Sequence, residues 1–152
     1  MNFALRTAAN SDAGRIADIL LQSRAAFLPY AVSPHTDDDV RVWVRDILLP
    51  REDVTVALVA GQPVGVMAMH RAEDISWISQ LYVHPSHAGQ GIGSRLLARA
   101  LDTAARPIRL YTFQQNAGAR RFYERNGFAP LRLTDGSGNE ERCPDVLYEL
   151  AE

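Results

Sequence analysis

The sequence predicts a mixed α/β fold, and three features carry that expectation. Residues 78–101 read as an apolar strand, a glycine-spaced turn and an amphipathic helix in unbroken succession. Two apolar runs just before them meet at Gly61-Gln62, as in a hairpin. A further strand lies one helix beyond, and a helical crossover of that kind makes two strands parallel. At 152 residues the chain is long enough for one substantial core, so a single domain over residues 1–152 is expected.

Taken in order, residues 3–6 alternate apolar and polar and read as a first strand. Ser11 and Asp12 cap a helix with Ile16, Ile19, Leu20 and Phe27 on one stripe. Pro29 and Pro34 interrupt the chain near Tyr30 and His35. Thr36 is an N-cap, and Asp37, Asp38 and Asp39 form an acid-rich first turn that suits the helix dipole better than it suits a metal. Val40, Trp43, Val44 and Ile47 make this second helix amphipathic.

Residues 54–60 and 64–70 form the hairpin strands, and Glu73-Asp74 turns the chain into the central strand with Ile78, Leu81, Tyr82 and Val83. Pro85 has no amide hydrogen and stops the ladder. Ile92, Leu96, Leu97, Ala100 and Leu101 then recur at helical spacing. Residues 108–113 are the next strand, and residues 116–125 a helix capped by Asn116, stopped at Asn126-Gly127 and burying Phe122. Residues 128–134 and 146–150 close the fold around a polar loop, residues 135–144. The predicted order is β-α-α-β-β-β-α-β-α-β-β.

Composition narrows the function. With 47% hydrophobic and 22% charged residues the chain is ordinary for a globular protein. A net charge of −2 gives no electrostatic reason to expect nucleic acid or an anionic membrane as partner. No apolar run approaches the roughly 20 residues of a membrane span, and the first residues lack the pattern of a signal peptide. Cys143 is the single cysteine, which suits a reducing compartment, so a cytoplasmic protein is expected.

The turn Gly89-Gln90-Gly91-Ile92-Gly93 is where chemistry is expected. The first amides of a helix lack internal partners, and the helix dipole adds positive potential there. Glycines let that backbone approach a phosphate closely, so a phosphorylated ligand is expected. Two familiar phosphate motifs fail. The dinucleotide pattern is broken by Ser94 or by Leu96, depending on the starting glycine, and no acid follows in residues 107–112. A P-loop needs lysine, and the sequence has none. On the later helix Asn116, Ala119 and Tyr123 share one face, and spacing alone makes Tyr123 a core tyrosine with its hydroxyl at the surface. Arg120, Arg121 and Arg125 read as a solvated face or a phosphate contact. His84 and His87 lack the further ligands a zinc ion needs, Cys143 has no base marked beside it, and no metal is expected.

The glycine turn resembles the A motif of the GNAT superfamily of acyl-CoA-dependent N-acyltransferases, whose pattern is Arg or Gln, two residues, Gly, any residue, then Gly or Ala. Gly91 and Gly93 match, and Ala88 stands where Arg or Gln is usual. Asn116, Ala119, Phe122, Tyr123, Gly127 and Phe128 are similar to the family's B motif, in the family's order and spacing. The element order resembles the family throughout, and the tail resembles that of small bacterial single-domain members.

The resemblance implies a central strand and a following parallel strand that splay apart around the pantetheine of acetyl-CoA. Leu81, Tyr82 and Val83 would line the pantetheine, and Ala88, Gly89, Gln90, Gly91, Ile92, Gly93 and Ser94 would hold the pyrophosphate. The Leu81 amide would polarise the thioester carbonyl, Tyr123 would give a proton to the leaving thiolate, and Asn116 would contact the coenzyme. Members often carry a glutamate base early on the central strand. That region reads Ser76, Ser79 and Gln80 here, which leaves His70, Glu73, Glu140 and Glu141 as substitutes. The acceptor would enter between the first two helices and the last strands, where Tyr30, His35, Trp43, Asp135, Glu140, Glu141 and Asp145 suit a cationic small-molecule or amino-acid-like amine. The same acids could instead pair with Arg132 and Arg142. The expected activity is acetyl transfer by direct amine attack. A non-catalytic acyl-CoA sensor or a nucleotide-binding regulator are the alternatives, and a homodimer is left open.

Overall fold

The computed structural model describes residues 2–152. Its strands are β1 (Ala4–Thr7), β2 (Asp53–Val59), β3 (Gln62–Ala72), β4 (Ile75–Val83), β5 (Ile108–Phe113), β6 (Ala129–Leu133) and β7 (Asp145–Leu150). They form one sheet in the order β1-β2-β3-β4-β5-β7-β6. All neighbours are antiparallel except β4 and β5, which the helix between them makes parallel. That pair registers only at Ser76–Ile108 and Trp77–Arg109. Beyond those residues the two strands part, and the sheet opens in its middle.

Each face of the sheet carries its own core. Helix α1 (Ala13–Phe27) and the helix that starts as α2 (Asp37–Trp43) bury Ile16, Ile19, Leu20 and Val44 against Val54, Val56, Val66 and Ala68. On the opposite face α4 (Ile92–Thr103) and α5 (Ala117–Arg125) cover Met67, Ile78, Ile108, Leu110, Val146 and Tyr148. The faces divide because Val66 and Ala68 point one way and Met67 the other, the period of two that a strand imposes.

The second helix departs from its expected pattern. Thr36 and Asp39 form a capping box at its start, with both reciprocal bonds at 3.1 Å. After Trp43 the helix widens into a π turn (Val44–Leu48) and ends in a last short turn, α3 (Leu49–Arg51). The wider turn rotates the face by one residue. Val44 and Leu48 are therefore fully buried, while Ile47, expected inside, is 36% exposed. Phe27 was also expected in the core stripe and is 48% exposed, because it lies in the last turn of α1, beyond the sheet-facing core. The β2–β3 turn is centred on Ala60-Gly61, not Gly61-Gln62, with φ +52° and +78°. Both central residues thus have the positive φ of the turn that matches strand twist.

Gly65 fixes how closely α4 sits on the sheet. A Cβ built there would lie 2.9 Å from Cγ2 of Ile92 and 3.2 Å from Cδ1 of Leu96. Ile92 is branched at Cβ and buried, so it cannot swing clear. Gly65→Ala is expected to lift the first turn of α4 and cost about 1–3 kcal/mol, the usual penalty for overpacking. Urea denaturation measures it directly as a lower midpoint with an unchanged slope.

Candidate functional site

The opening between β4 and β5 is the first component of the site. The His84 amide donates to the Val64 carbonyl at 2.8 Å. Pairs alternate along an antiparallel ladder, so Tyr82 and Gln80 also bond to β3, and Leu81 and Val83 turn their backbone groups toward β5. No strand meets them there. The Ser23 hydroxyl on α1 donates to the Val83 carbonyl at 2.6 Å. The Leu81 amide, the Leu81 carbonyl and the Val83 amide are left facing the gap. A cavity of about 110 Å³ fills it, bordered by Leu81, Leu110, Asn116, Ala119 and Tyr123.

The N-cap of α5 and two residues of the helix itself, Ala119 and Tyr123, reach this cavity. Asn116 caps the helix, its Oδ1 accepting from the Ala119 amide at 3.1 Å. Tyr123 is 8% exposed, its ring set edge-on against Phe122 and Phe128. Burial, and after it the neighbouring Tyr82, push its phenol well above the ordinary tyrosine value. Tyr123 therefore stays protonated at neutral pH and is a hydrogen-bond donor there. The sequence placed Tyr123 in the core, and it is there, at the cavity wall. Phe122, expected in the core, is only partly buried, because it packs at the rim of that cluster.

The glycine turn lies at the end of β4. A short 3₁₀ turn (Pro85–His87) leads to Gly89 at φ +76° and Gly91 at φ +82°. Gly91 is the N-cap of α4 and has no side chain to bond the helix's first amides, which leaves them free for a ligand. A Cβ at Gly89 or Gly91 would meet nothing within 4 Å, so both face open space. Buried Ile92, Leu96, Leu97 and Ala100 anchor the helix behind them. His84 and His87 are tied into the turn through Ser86, with Nδ1 to Oγ distances of 2.7 and 2.9 Å. Arg120 was expected on a solvated face or at a phosphate. Instead it donates to the Tyr148 hydroxyl at 3.0 Å, and that hydroxyl donates to Glu124 at 2.5 Å. Arg121 and Arg125 are exposed on α5.

The second component is a cleft of about 1030 Å³ on the α1–α2 side of the same gap. Both openings are lined by Ser79, Gln80, Tyr82, Tyr111, Thr112 and Phe113, so the cleft and the gap meet where β4 and β5 part. Its outer wall carries Trp43, Asp37, Asp39, Glu140 and Glu141. The acids of the late loop do not pair with Arg132 or Arg142. His35 Nε2 lies 2.7 Å from Glu140, and Arg24 donates to Glu141 at 3.0 Å, so the loop is tied across the cleft to the first helices. Tyr30, expected at the acceptor, packs its ring on Phe113 and does not line the cleft. Asp135 caps the Ser137 amide at 2.9 Å, which holds its carboxyl below the usual range. Asp145 accepts from the Thr134 hydroxyl and from Asn139, and so closes the loop. Cys143 is buried and desolvation pushes its thiol up, away from the thiolate that a nucleophile needs.

The four base candidates divide. Glu140 and Glu141 line the cleft, Glu141 in an ion pair with Arg24 and Glu140 hydrogen-bonded to His35. Glu73 sits in the β3–β4 turn at φ +52°, and neither it nor His70 lines either opening. His70 Nδ1 is instead 3.3 Å from Glu52, and Glu52 accepts a hydrogen bond from Ser79 in the wall shared by both openings. Glu52 was not singled out from the sequence. It is the C-cap of the short turn α3, between that helix and β2, and its reach to Ser79 depends on where α3 ends.

With this geometry in hand, the comparisons with known proteins agree on one family. The acetyltransferase (GNAT) family model matches residues 18–128. An uncharacterised N-acetyltransferase of Methanocaldococcus jannaschii is 31% identical over 111 residues, which are 62% of this chain and 47% of that protein; the chain thus spans about half its length. An uncharacterised N-acetyltransferase of Archaeoglobus fulgidus is 29% identical, covering 90% of this chain and 99% of its own. YncA of Salmonella typhimurium, solved with its cofactor acetyl-CoA, superposes with a TM-score of 0.77 at 22% identity, over 99% of this chain and 94% of its own, and shares the fold. The chain belongs to the GNAT acetyltransferase family.

Within the late loop, one side chain makes three of the closing bonds. Asn139 Nδ2 donates to the Cys143 carbonyl at 2.7 Å and to Asp145 at 3.1 Å, and its Oδ1 accepts from the Cys143 amide at 3.1 Å. Asn139→Ala strands these part-buried groups and is expected to cost about 1–3 kcal/mol. Amide hydrogen exchange should speed up at residues 136–143 first, with the β2–β3 hairpin unaffected.

Proposed function

We propose that the protein transfers an acetyl group from acetyl-CoA to a primary amine of a small cationic acceptor. The observation that supports this reading best is the meeting of two openings at the β4–β5 divergence. On one side lie unpaired backbone groups, a protonated tyrosine and a helix start with free amides. On the other lies a cleft with five carboxylates and aromatic walls. A thioester held in the gap would present its carbonyl to an amine held in the cleft.

The residues fit the coenzyme in chemistry as well as place. The Leu81 and Val83 backbone groups can extend the sheet onto an amide-bearing arm, as a strand would. Glycines with open space in place of a Cβ can bring the amides at residues 88–94 against a pyrophosphate. When bound, acetyl-CoA supplies the activated acyl group. The Leu81 amide donates to the carbonyl oxygen as charge builds on it. Tyr123, kept neutral by burial, donates to the departing sulfur, whose thiol has an ordinary pKa of about 8.5. Because its own pKa is raised, the phenol stabilises the thiolate mainly by hydrogen bonding. On the cleft side Asp37, Asp39, Glu140, Glu141 and Asp145 outnumber Arg24 and Arg132, which favours a cation, and Trp43 adds an aromatic ring to the same lining.

Thiol release from acetyl-CoA, measured with phenethylamine, cadaverine, alaninamide and glycine, tests the reading. The cationic amines should be acetylated and zwitterionic glycine should not; no acceptor-dependent release with any of them contradicts it. Tyr123→Phe keeps the ring and removes the donor. Turnover is expected to fall about 100-fold, within the range for a positioned proton donor, while affinity for coenzyme A by calorimetry stays within about twofold of wild type.

A further inference from the structure

We propose that Ser79 and Glu52 form the route by which the acceptor ammonium loses its proton, an inference that rests on the amine acetylation proposed above. An ammonium has no lone pair, so an amine of ordinary pKa must shed a proton before it can attack. The central strand offers no carboxylate at this level, and neither His70 nor Glu73 borders the openings.

Ser79 is placed for contact with the acceptor. The β3–β4 ladder pairs Ala68 with Gln80 and Met69 with Ile78, so Ser79 is an extra residue on β4, a bulge. A bulge re-aims its side chain, and Ser79 lines both the cleft and the gap. Its hydroxyl donates to Oε1 of Glu52, with the Ala68 carbonyl 3.3 Å away as a second acceptor. The Glu52 side chain is 18% exposed, and the same Oε1 lies 3.3 Å from Nδ1 of His70, whose side chain is 40% exposed. A continuous line of polar groups therefore runs from the shared wall to solvent.

Glu52 is held there by the irregular helix before it. Its amide donates to the Leu48 carbonyl at 3.0 Å, the bond that closes α3, and Leu48 is the last residue of the π turn Val44–Leu48. Such turns recur at functional sites. The titratable group that faces Glu52 from β3 is His70, and β4 brings only the Ser79 hydroxyl. Arg51 and Asp53 flank it in the chain, and across the cleft stand Asp37, Asp39 and Tyr111.

The proton balance is simple. One ammonium proton passes to the Ser79 oxygen as the Ser79 hydrogen passes to the Glu52 carboxylate. The freed lone pair forms the carbon–nitrogen bond, the carbon–sulfur bond breaks, and the second nitrogen proton ends on the leaving sulfur. Glu52 then returns its proton to solvent through His70, one per turnover. Ser79 is the catalytic group, and Glu52 acts through it.

The test uses whichever of phenethylamine and cadaverine the wild type acetylates, beside trifluoroethylamine, which is already neutral at pH 7. For the basic amine, Glu52→Gln and Ser79→Ala should each lower kcat/KM at pH 7 about 100-fold. The deficit should shrink as pH approaches the pKa of the amine, and Ser79→Thr, which keeps a hydroxyl, should restore most of the rate. Trifluoroethylamine should lose little in any variant, and calorimetric affinity for coenzyme A should be unchanged. Equal losses for the two amines at every pH would make the pair structural and overturn the proposal, as would no loss. Acetylation of neither basic amine by wild type would overturn the proposed function and this route together. Wild-type turnover with superimposable pH profiles would overturn the route alone.

Discussion

The site depends on a sheet that is left unfinished. Strands β4 and β5 share two residue pairs and then part, although each is covered on one face by α4 or α5 and bonded along its other edge to β3 or β7. A polar backbone group left without a partner in a buried setting costs about 1–3 kcal/mol. The gap persists because the two cores over-determine the positions of its walls. On one face Ile92, Leu96 and Leu97 pin α4 to the sheet, with Gly65 permitting the approach. On the other, α1 holds β4 from beneath, its Ser23 hydroxyl on the Val83 carbonyl. What the fold withholds from these backbone groups a ligand with amides of its own can supply.

The same opening explains why the two openings share a wall. Parting strands expose side chains at the break, and the bulge at Ser79 turns that side chain into the break. The late loop then closes the cleft from above. It is locked within itself by Asn139 and across to the helices by Arg24–Glu141 and His35–Glu140. The Arg24–Glu141 pair is largely shielded from solvent, whereas the His35–Glu140 pair is exposed and contributes little to stability.

Much of this was legible in the chain because the signals are local. The strand, glycine turn and helix at residues 78–101 are written in adjacent residues, and so are the Thr36 capping box and the Asn116 cap. The parallel pair followed from the helix between its strands, and its divergence from the family resemblance. Long-range features were not legible. The π turn leaves no mark in the apolar spacing, so the spacing puts Ile47 inside where Leu48 takes that place. The partners of Glu140 and Glu141 come from elements about a hundred residues earlier, and Arg120 turns inward to a tyrosine on β7. Glu52 meets Ser79 only because β2, β3 and β4 lie side by side. A lone glutamate between helix and strand carries no signal of that meeting.

Everything proposed for this site follows from a coenzyme received by the unpaired edge of β4 and the start of α4. A backbone amide NMR titration of the whole chain with coenzyme A reads it residue by residue. The largest shifts are expected at Leu81 and Val83 and at residues 88–94, with saturation at one equivalent. Shifts confined to other parts of the sheet, or saturable binding that leaves Leu81, Val83 and Gly91 unmoved, would contradict it.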